Sequence, residues 1–138
     1  GDHQEGVRLA DALSFRGHVH ALFAPLSRWH APPAAEVERL NLQLSRAMSR
    51  LAAVRESRRF RLEFRAGGLH PALCAAAWSA ARLLASPDLR LLKACADPRC
   101  GKLFLDRSRR NNRRWCDMAA CGNRAKARRL AARRRPAG

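Results

Sequence analysis

Four cysteines fix what the last third of this chain can become. Cys95, Cys100, Cys116 and Cys121 form two pairs, with four residues inside each pair, fifteen between the pairs, and a glycine (Gly101, Gly122) directly after each. Two short turns that each present two sulfurs can complete a tetrahedral shell around one ion. Zinc suits such a donor set; an iron–sulfur cluster takes the same ligands, and unmetallated thiols are the remaining reading. Because all four ligands come from the chain, no position stays open for a substrate, and the expected role of a zinc ion here is structural.

Charge explains why this region needs a staple. Residues 1 to 89 carry 12 basic and 8 acidic side chains, a balance of +4, whereas residues 90 to 138 carry 16 basic and 3 acidic, a balance of +13. Self-repulsion at that density opposes compaction unless a partner anion or a cross-link counters it. Five cysteines is an odd number, and in a reducing compartment clustered thiols read as metal ligands more readily than as disulfides. Cys74, left over in an apolar stretch, is expected to be a small core residue.

Local chemistry around the pairs agrees with ligand turns. Asp97-Pro98 has turn character, and Gly101 and Gly122 would permit positive φ just after the second ligand of each pair. Four thiolates on a divalent ion leave a formal charge of −2, which Arg99, Lys102, Arg114 and Arg124 stand close enough in sequence to offset. Leu103, Phe104, Leu105 and Trp115 offer only a very small apolar core between the pairs.

Upstream, the periodicity is helical. Leu9, Ala12, Leu13, Val19, Leu22, Phe23 and Leu26 recur at three- and four-residue steps until Pro25 bends or ends the run. After Pro32-Pro33, Val37, Leu40, Leu44 and Met48 line a second helix, with Glu36 and Glu38 in its first turn. From Arg59 the period becomes two: Phe60, Leu62 and Phe64 alternate with Arg61, Glu63 and Arg65, a half-buried strand ending at Gly67-Gly68 that pairs with Leu51 to Val54 and lies against the helices. Leu73, Ala76, Ala77, Ala80, Leu83 and Leu84 predict a third helix, and Ser86-Pro87-Asp88 a capped restart. The expected fold class is mainly α with a small β-hairpin. Residues 1–88 form a helical domain with a short hairpin, and residues 89–138 a four-cysteine zinc module ending in a basic helix from Asn123, capped there or at Gly122 and stopped by Pro136.

Cys95 to Cys121, together with Phe104, Leu105, Asp106, Ser108, the Arg113-Arg114-Trp115-Cys116 run, Met118 and the closing Cys121-Gly122-Asn123-Arg124, resembles the CGNR zinc finger, over roughly residues 89 to 135. Asp117 stands where that family more usually has serine. The resemblance implies an N-terminal ABATE domain, of which residues 1–88 are similar to the latter part, and a role as a stress-induced transcription regulator that binds DNA. It is the resemblance, and no composition, that brings in transcription and stress response.

The basic helix gives that expectation a physical form. At 100° per residue, Arg124, Arg128 and Arg135 fall on one face and Lys126, Arg129 and Arg133 roughly opposite. A helix charged on both flanks fits a DNA major groove, with one face toward base edges and the flanks against phosphates. Arg109, Arg110, Arg113 and Arg114 in the preceding loop would clamp phosphates, and Asn123 or Arg124 would make a directional base contact. Duplex DNA is the expected partner. The alternatives are sequence-independent binding through counterion release, an RNA- or ribosome-associated zinc-binding structural protein, a scaffold for acidic partners, and a solvated tail. The chain contains no tyrosine, and its few aromatics offer little stacking surface for RNA.

Other candidates carry less. His18, His20 and His30 with Glu36 lie on different helical faces or beyond a proline, so surface histidines are the expected reading, and Trp29 and Trp78 are read as packing residues. Eleven acids, without a phosphate loop, nucleophile elbow or carboxylate pair, leave little material for catalysis, and the chain is expected not to be an enzyme. Neither a membrane span nor a secretory leader is visible, so a cytoplasmic, nucleoid-associated protein is expected, with dimerisation through the N-terminal domain as an option. The opening glycine in place of methionine leaves an upstream segment open.

Overall fold

A computed structural model describes residues 2–65 and 70–133, with side chains from residue 9 onward. Helices α1 (Asp2–Leu26) and α2 (Ala34–Met48) lead into strands β1 (Leu51–Glu56) and β2 (Arg59–Phe64). Helix α3 (Pro71–Leu84), a 3-10 turn (Pro87–Leu91), strands β3 (Leu92–Ala94) and β4 (Leu103–Leu105), a π-turn (Met118–Gly122) and helix α4 (Asn123–Arg133) follow. The fold is mainly helical with the small hairpin β1–β2, as the periodicity indicates; β3 and β4 add a second hairpin that the periodicity does not announce, and Leu92, expected to end a short helix, opens it. The strand end expected at Gly67-Gly68 and the helix end expected at Arg135 and Pro136 lie outside the described residues.

Capping chemistry places the helix starts. Pro71 sits in the first turn of α3, where its missing N–H costs nothing, and the His70 ring accepts the Ala72 amide at 3.2 Å. Ser86 caps the 3-10 turn as expected, its hydroxyl taking the Asp88 amide at 3.0 Å. Pro25 stands one residue before the end of α1, and the chain then turns through Trp29 at φ 62°. Trp29 is 81% exposed and is not the packing residue expected of it, whereas Trp78, 39% exposed, keeps most of its surface covered.

One core joins α1, α2 and α3 to β3 and β4. Leu22 and Phe23 of α1, Leu40 of α2, Ala77 and Ala80 of α3 and Leu92 of β3 form one buried cluster, with Leu103 and Leu105 of β4 packed against it. Burying a leucine or phenylalanine such as Leu22 or Phe23 fully is worth roughly 1.5–3 kcal/mol. The alanines of α3 and Ala47 of α2 let helix backbones approach closely. Cys74 is fully buried, as its setting in an apolar helix suggests.

Two expectations change on inspection. Leu103 and Leu105 share a face of β4 and join the helical core instead of building a separate one, while Phe104 points the other way. The β1–β2 hairpin pairs antiparallel with Leu51 opposite Phe64 and Glu56 opposite Arg59, closing through Ser57 at φ 55°. Its alternation is real, yet Phe60 is 72% exposed and Leu62 68%, so the apolar side meets helices only near Phe64.

Candidate metal centre and basic surface

Two different local structures bring the sulfurs together. The first ligand pair sits at the end of the β3–β4 hairpin, where Cys95 N–H donates to Lys102 O at 2.8 Å and Cys100 N–H to Asp97 O at 2.9 Å. The Arg99 amide reaches Asp97 Oδ1 at 3.3 Å, and Gly101 takes φ 65°, a left-handed conformation that disfavours a side chain. The second pair straddles a helix start, with Cys116 just before the cap and Cys121 inside the π-turn. Asp117 caps it by accepting the Ala120 amide at 2.7 Å, and the Cys121 and Gly122 amides both reach Asp117 O, at 3.0 and 3.1 Å. The two turns therefore do not match. Gly122 is not in the left-handed region; a Cβ there would meet Met118 Sδ at 2.5 Å. Asn123, expected as a cap, is an interior residue of a continuous helical path, and Asp117 does the capping.

The sulfur geometry fits a tetrahedral ion. All four Sγ atoms lie within 4.8 Å of one another. Cys100 and Cys116 are 3.5 Å apart and Cys116 and Cys121 3.7 Å, while a tetrahedron with metal–sulfur bonds near 2.3 Å has edges of about 3.8 Å. No disulfide is formed, and no second cluster of potential ligands occurs among the described residues. Without an ion the thiols of Cys95, Cys116 and Cys121 differ in acidity. Burial, reinforced by neighbouring thiols, pushes Cys121 up to about 12, and burial likewise raises Cys116. At Cys95 the upward push of burial is outweighed by the amides of Cys116 and Asp97, which bring it to about 7. Four thiolates this close repel one another, and a divalent cation removes that repulsion. The bound ion would supply charge neutralisation and a fourfold cross-link.

A buried carboxylate backs the cluster. Asp97 is 1% exposed and accepts Arg124 Nε at 2.8 Å and Arg128 Nη2 at 3.1 Å. The Arg124 hydrogen bond, foremost, holds the Asp97 carboxyl down at about 2, and Arg124 is raised in return. Arg124 Nη2 also donates to Cys121 Sγ at 3.0 Å. One guanidinium thus joins the ligand shell, the first turn and α4.

Asp106 organises the loop that follows β4. Fully buried, it accepts Lys93 Nζ at 2.7 Å, Ser108 Oγ at 2.6 Å, the Ser108 amide at 3.0 Å and the Arg113 amide at 2.8 Å. These donors, Lys93 first, hold its carboxyl far below the usual carboxylate range. Lys93 also donates to Asn111 O at 2.5 Å, where Asn111 takes φ 45°. Neither Asp97 nor Asp106 stands out by local sequence spacing, because their partners are remote. The available signal is scarcity: three acids among sixteen bases must each be well used.

The cations expected to meet nucleic acid divide into two groups. Arg124 and Arg128 turn inward to Asp97. Arg113 donates to Trp115 O at 2.8 Å and to Cys116 O, and its guanidinium lies 5.1 Å from the Phe104 ring centroid; Arg114 lies 5.2 Å from that of Trp115. All of these cations and Asn123 are exposed, with 44% of the Arg124 side chain and 41% of Arg128 still facing solvent; Arg109, Arg110, Lys126, Arg129 and Arg133 differ in having no carboxylate partner among the described residues. Lys126, Arg129 and Arg133 form the side of α4 opposite Arg124. Between α4 and the Arg114–Trp115 segment lies a groove of about 310 Å³, lined in part by Arg128 and Arg129. His18 is 3.2 Å from Glu36, whereas the His20 ring donates to Gly101 O at 2.9 Å, so the upstream histidines do not converge. No helix among the described residues is long and apolar enough to cross a membrane.

A four-thiolate centre that joins a hairpin turn to the start of a helix defines a zinc-finger module. Residues 91–134 match the family model of the CGNR zinc finger, which covers all four cysteines and the expected resemblance. No curated protein matches the chain.

Proposed function

We propose that the cluster holds a structural zinc ion and that the module around it binds duplex DNA, as a transcription regulator would. One observation carries the second half of this reading. The basic third has three acids, and each has internal work: Asp97 holds Arg124 and Arg128, Asp106 holds Lys93 and the loop, and Asp117 caps a helical turn. The outward cations Arg109, Arg110, Lys126, Arg129 and Arg133 therefore look to an external polyanion for counter-charge.

In this reading the basic set divides its roles. Lys126, Arg129 and Arg133 present the face of α4 that enters the groove, with Asn123 at its leading end; Arg109 and Arg110 hold phosphate from the adjoining loop. Arg124 and Arg128 build the surface instead of reading through it, and Arg113 and Arg114 brace the loop against Phe104 and Trp115. The test is competition of labelled duplex DNA against single-stranded and duplex RNA at fixed salt, with selection from a random duplex library. Retention of DNA under RNA competition supports the reading. Preference for RNA favours an RNA- or ribosome-associated zinc protein instead.

A further inference from the structure

The β1–β2 hairpin carries an apolar face and a free edge that point to the same partner. Phe60, Leu62 and Phe64 share one face with their cross-strand neighbours Arg55, Ala53 and Leu51, and Phe60 and Leu62 are 72% and 68% exposed. Among the described residues the sheet has two strands only, so the outer side of β2 is unpaired by any strand. The phase of the ladder is set by Arg65 N–H, which donates to Arg50 O at 3.0 Å. Bonded pairs alternate along an antiparallel ladder, so the N–H and C=O groups of Phe60, Leu62 and Phe64 point away from β1. Such an edge is ordinarily blunted by proline, a bulge or an inward charge, and β2 has no proline in it.

Around Leu62 the segment Phe60-Arg61-Leu62-Glu63-Phe64 is a chemical palindrome: aromatic, cation, leucine, anion, aromatic. We propose that β2 pairs antiparallel with β2 of a second copy about a two-fold axis through Leu62. In that register Phe60 faces Phe64 of the second copy, Leu62 faces its counterpart, and Arg61 faces Glu63 in both directions. The outward backbone groups are the ones that meet. Arg61 and Glu63 already bridge at 2.7 Å within the chain, on the face opposite the aromatics, so pairing extends this into a ring of four alternating charges. Arg59 and Arg65 oppose each other at the two ends, where Glu56, the cross-strand neighbour of Arg59, offsets one of them. The outer edge of β1 offers no equivalent: centred on Ala53, it sets Leu51 against Arg55 and Ala52 against Val54, with no charge pair. Five residues per strand make a contact below standard interface size, so association depends on concentration. The inference stands apart from the DNA reading, since the hairpin belongs to neither the cysteine cluster nor α4.

Sedimentation of the zinc-loaded full chain over a wide concentration range tests it. The native chain moves from monomer to dimer as concentration rises. Arg61→Glu alone and Glu63→Arg alone each set like charges across the axis twice and weaken self-association by at least about tenfold. Mixing these two variants restores a one-to-one dimer, because every charge then meets its opposite; circular dichroism checks that each is folded. Should one of them fail to fold, the chain carrying both substitutions keeps its composition and dimerises like the native one. A native chain that stays monomeric throughout, a mixture no tighter than its components, or a folded double variant that stays monomeric overturns the proposal.

Discussion

The Asp97 carboxylate, buried in the first ligand turn, takes the Arg124 guanidinium at 2.8 Å although the two residues are 27 positions apart. The same guanidinium reaches Cys121 Sγ at 3.0 Å. Partners that orient metal ligands typically matter 10- to 100-fold in affinity, so Arg124→Ala is expected to weaken zinc binding by about that factor, measured by competition with a chromogenic chelator. Arg129→Ala, on the outward side of α4, leaves zinc affinity unchanged. Equal losses from both would falsify the division of α4 into a building face and a binding face.

If the cluster holds zinc as proposed, removing the ion should loosen α4 before the upstream helices. A strong chelator is expected to lower the helical signal of α4 and change Trp115 fluorescence, while α1, α2 and α3, which have their own buried contacts, keep most of theirs. Added zinc restores both signals. Persistence of the α4 signal after complete removal of metal, checked by elemental analysis, contradicts the fourfold cross-link.

Asp106 gives a pH dependence with a definite sign. Its folded-state pKa is depressed, chiefly by Lys93, so its contribution is complete above the unfolded carboxylate value and fades as pH falls toward the depressed one. Asp106→Asn is expected to lower the thermal midpoint at neutral pH by about 5 °C, and the difference from the native chain should narrow in strong acid. Calorimetry from neutral to acidic pH reads this difference directly. A gap that widens in acid assigns the stability elsewhere.

If the module binds duplex DNA as proposed, the salt dependence of that binding separates the cations. Each phosphate contact contributes a slope of about −0.9 in log affinity against log salt, so Lys126→Ala, Arg129→Ala and Arg133→Ala should each flatten the slope by about one. Arg109→Ala and Arg110→Ala act in the same direction and on all sequences alike. Fluorescence anisotropy at four or five salt concentrations measures these slopes. If none of the five changes the slope, α4 and its loop are not where the polyanion sits.

How much of this was legible beforehand depended on the range of the interactions. The cysteine spacing, the Ser86 cap and the alternation of β2 are local, and each is present in the structure. The helical wheel of α4 separates Arg124 and Arg128 from Lys126, Arg129 and Arg133, yet it cannot say which side turns inward; that is decided by Asp97, on another element. The same limit applies to Phe60 and Leu62, whose alternation announces an apolar face without naming its cover. Leu103 and Leu105 looked like a private core for the zinc module because their partners lie on other elements, the farthest of them α1, whose His20 binds Gly101 O across 81 positions. Neither matching glycine nor matching spacing revealed that one ligand turn is a hairpin end and the other a helix start; Asp117 made that difference.

Leu92, Leu103 and Leu105 rest on Leu22, Phe23 and Ala80, and a practical consequence follows for anyone who would graft the finger onto another scaffold. Cut out at residue 91, it would carry three leucines into water, an apolar patch that favours association against the repulsion of its surplus arginines. A transplant must bring the supporting helices with it or repaint those leucines as polar residues.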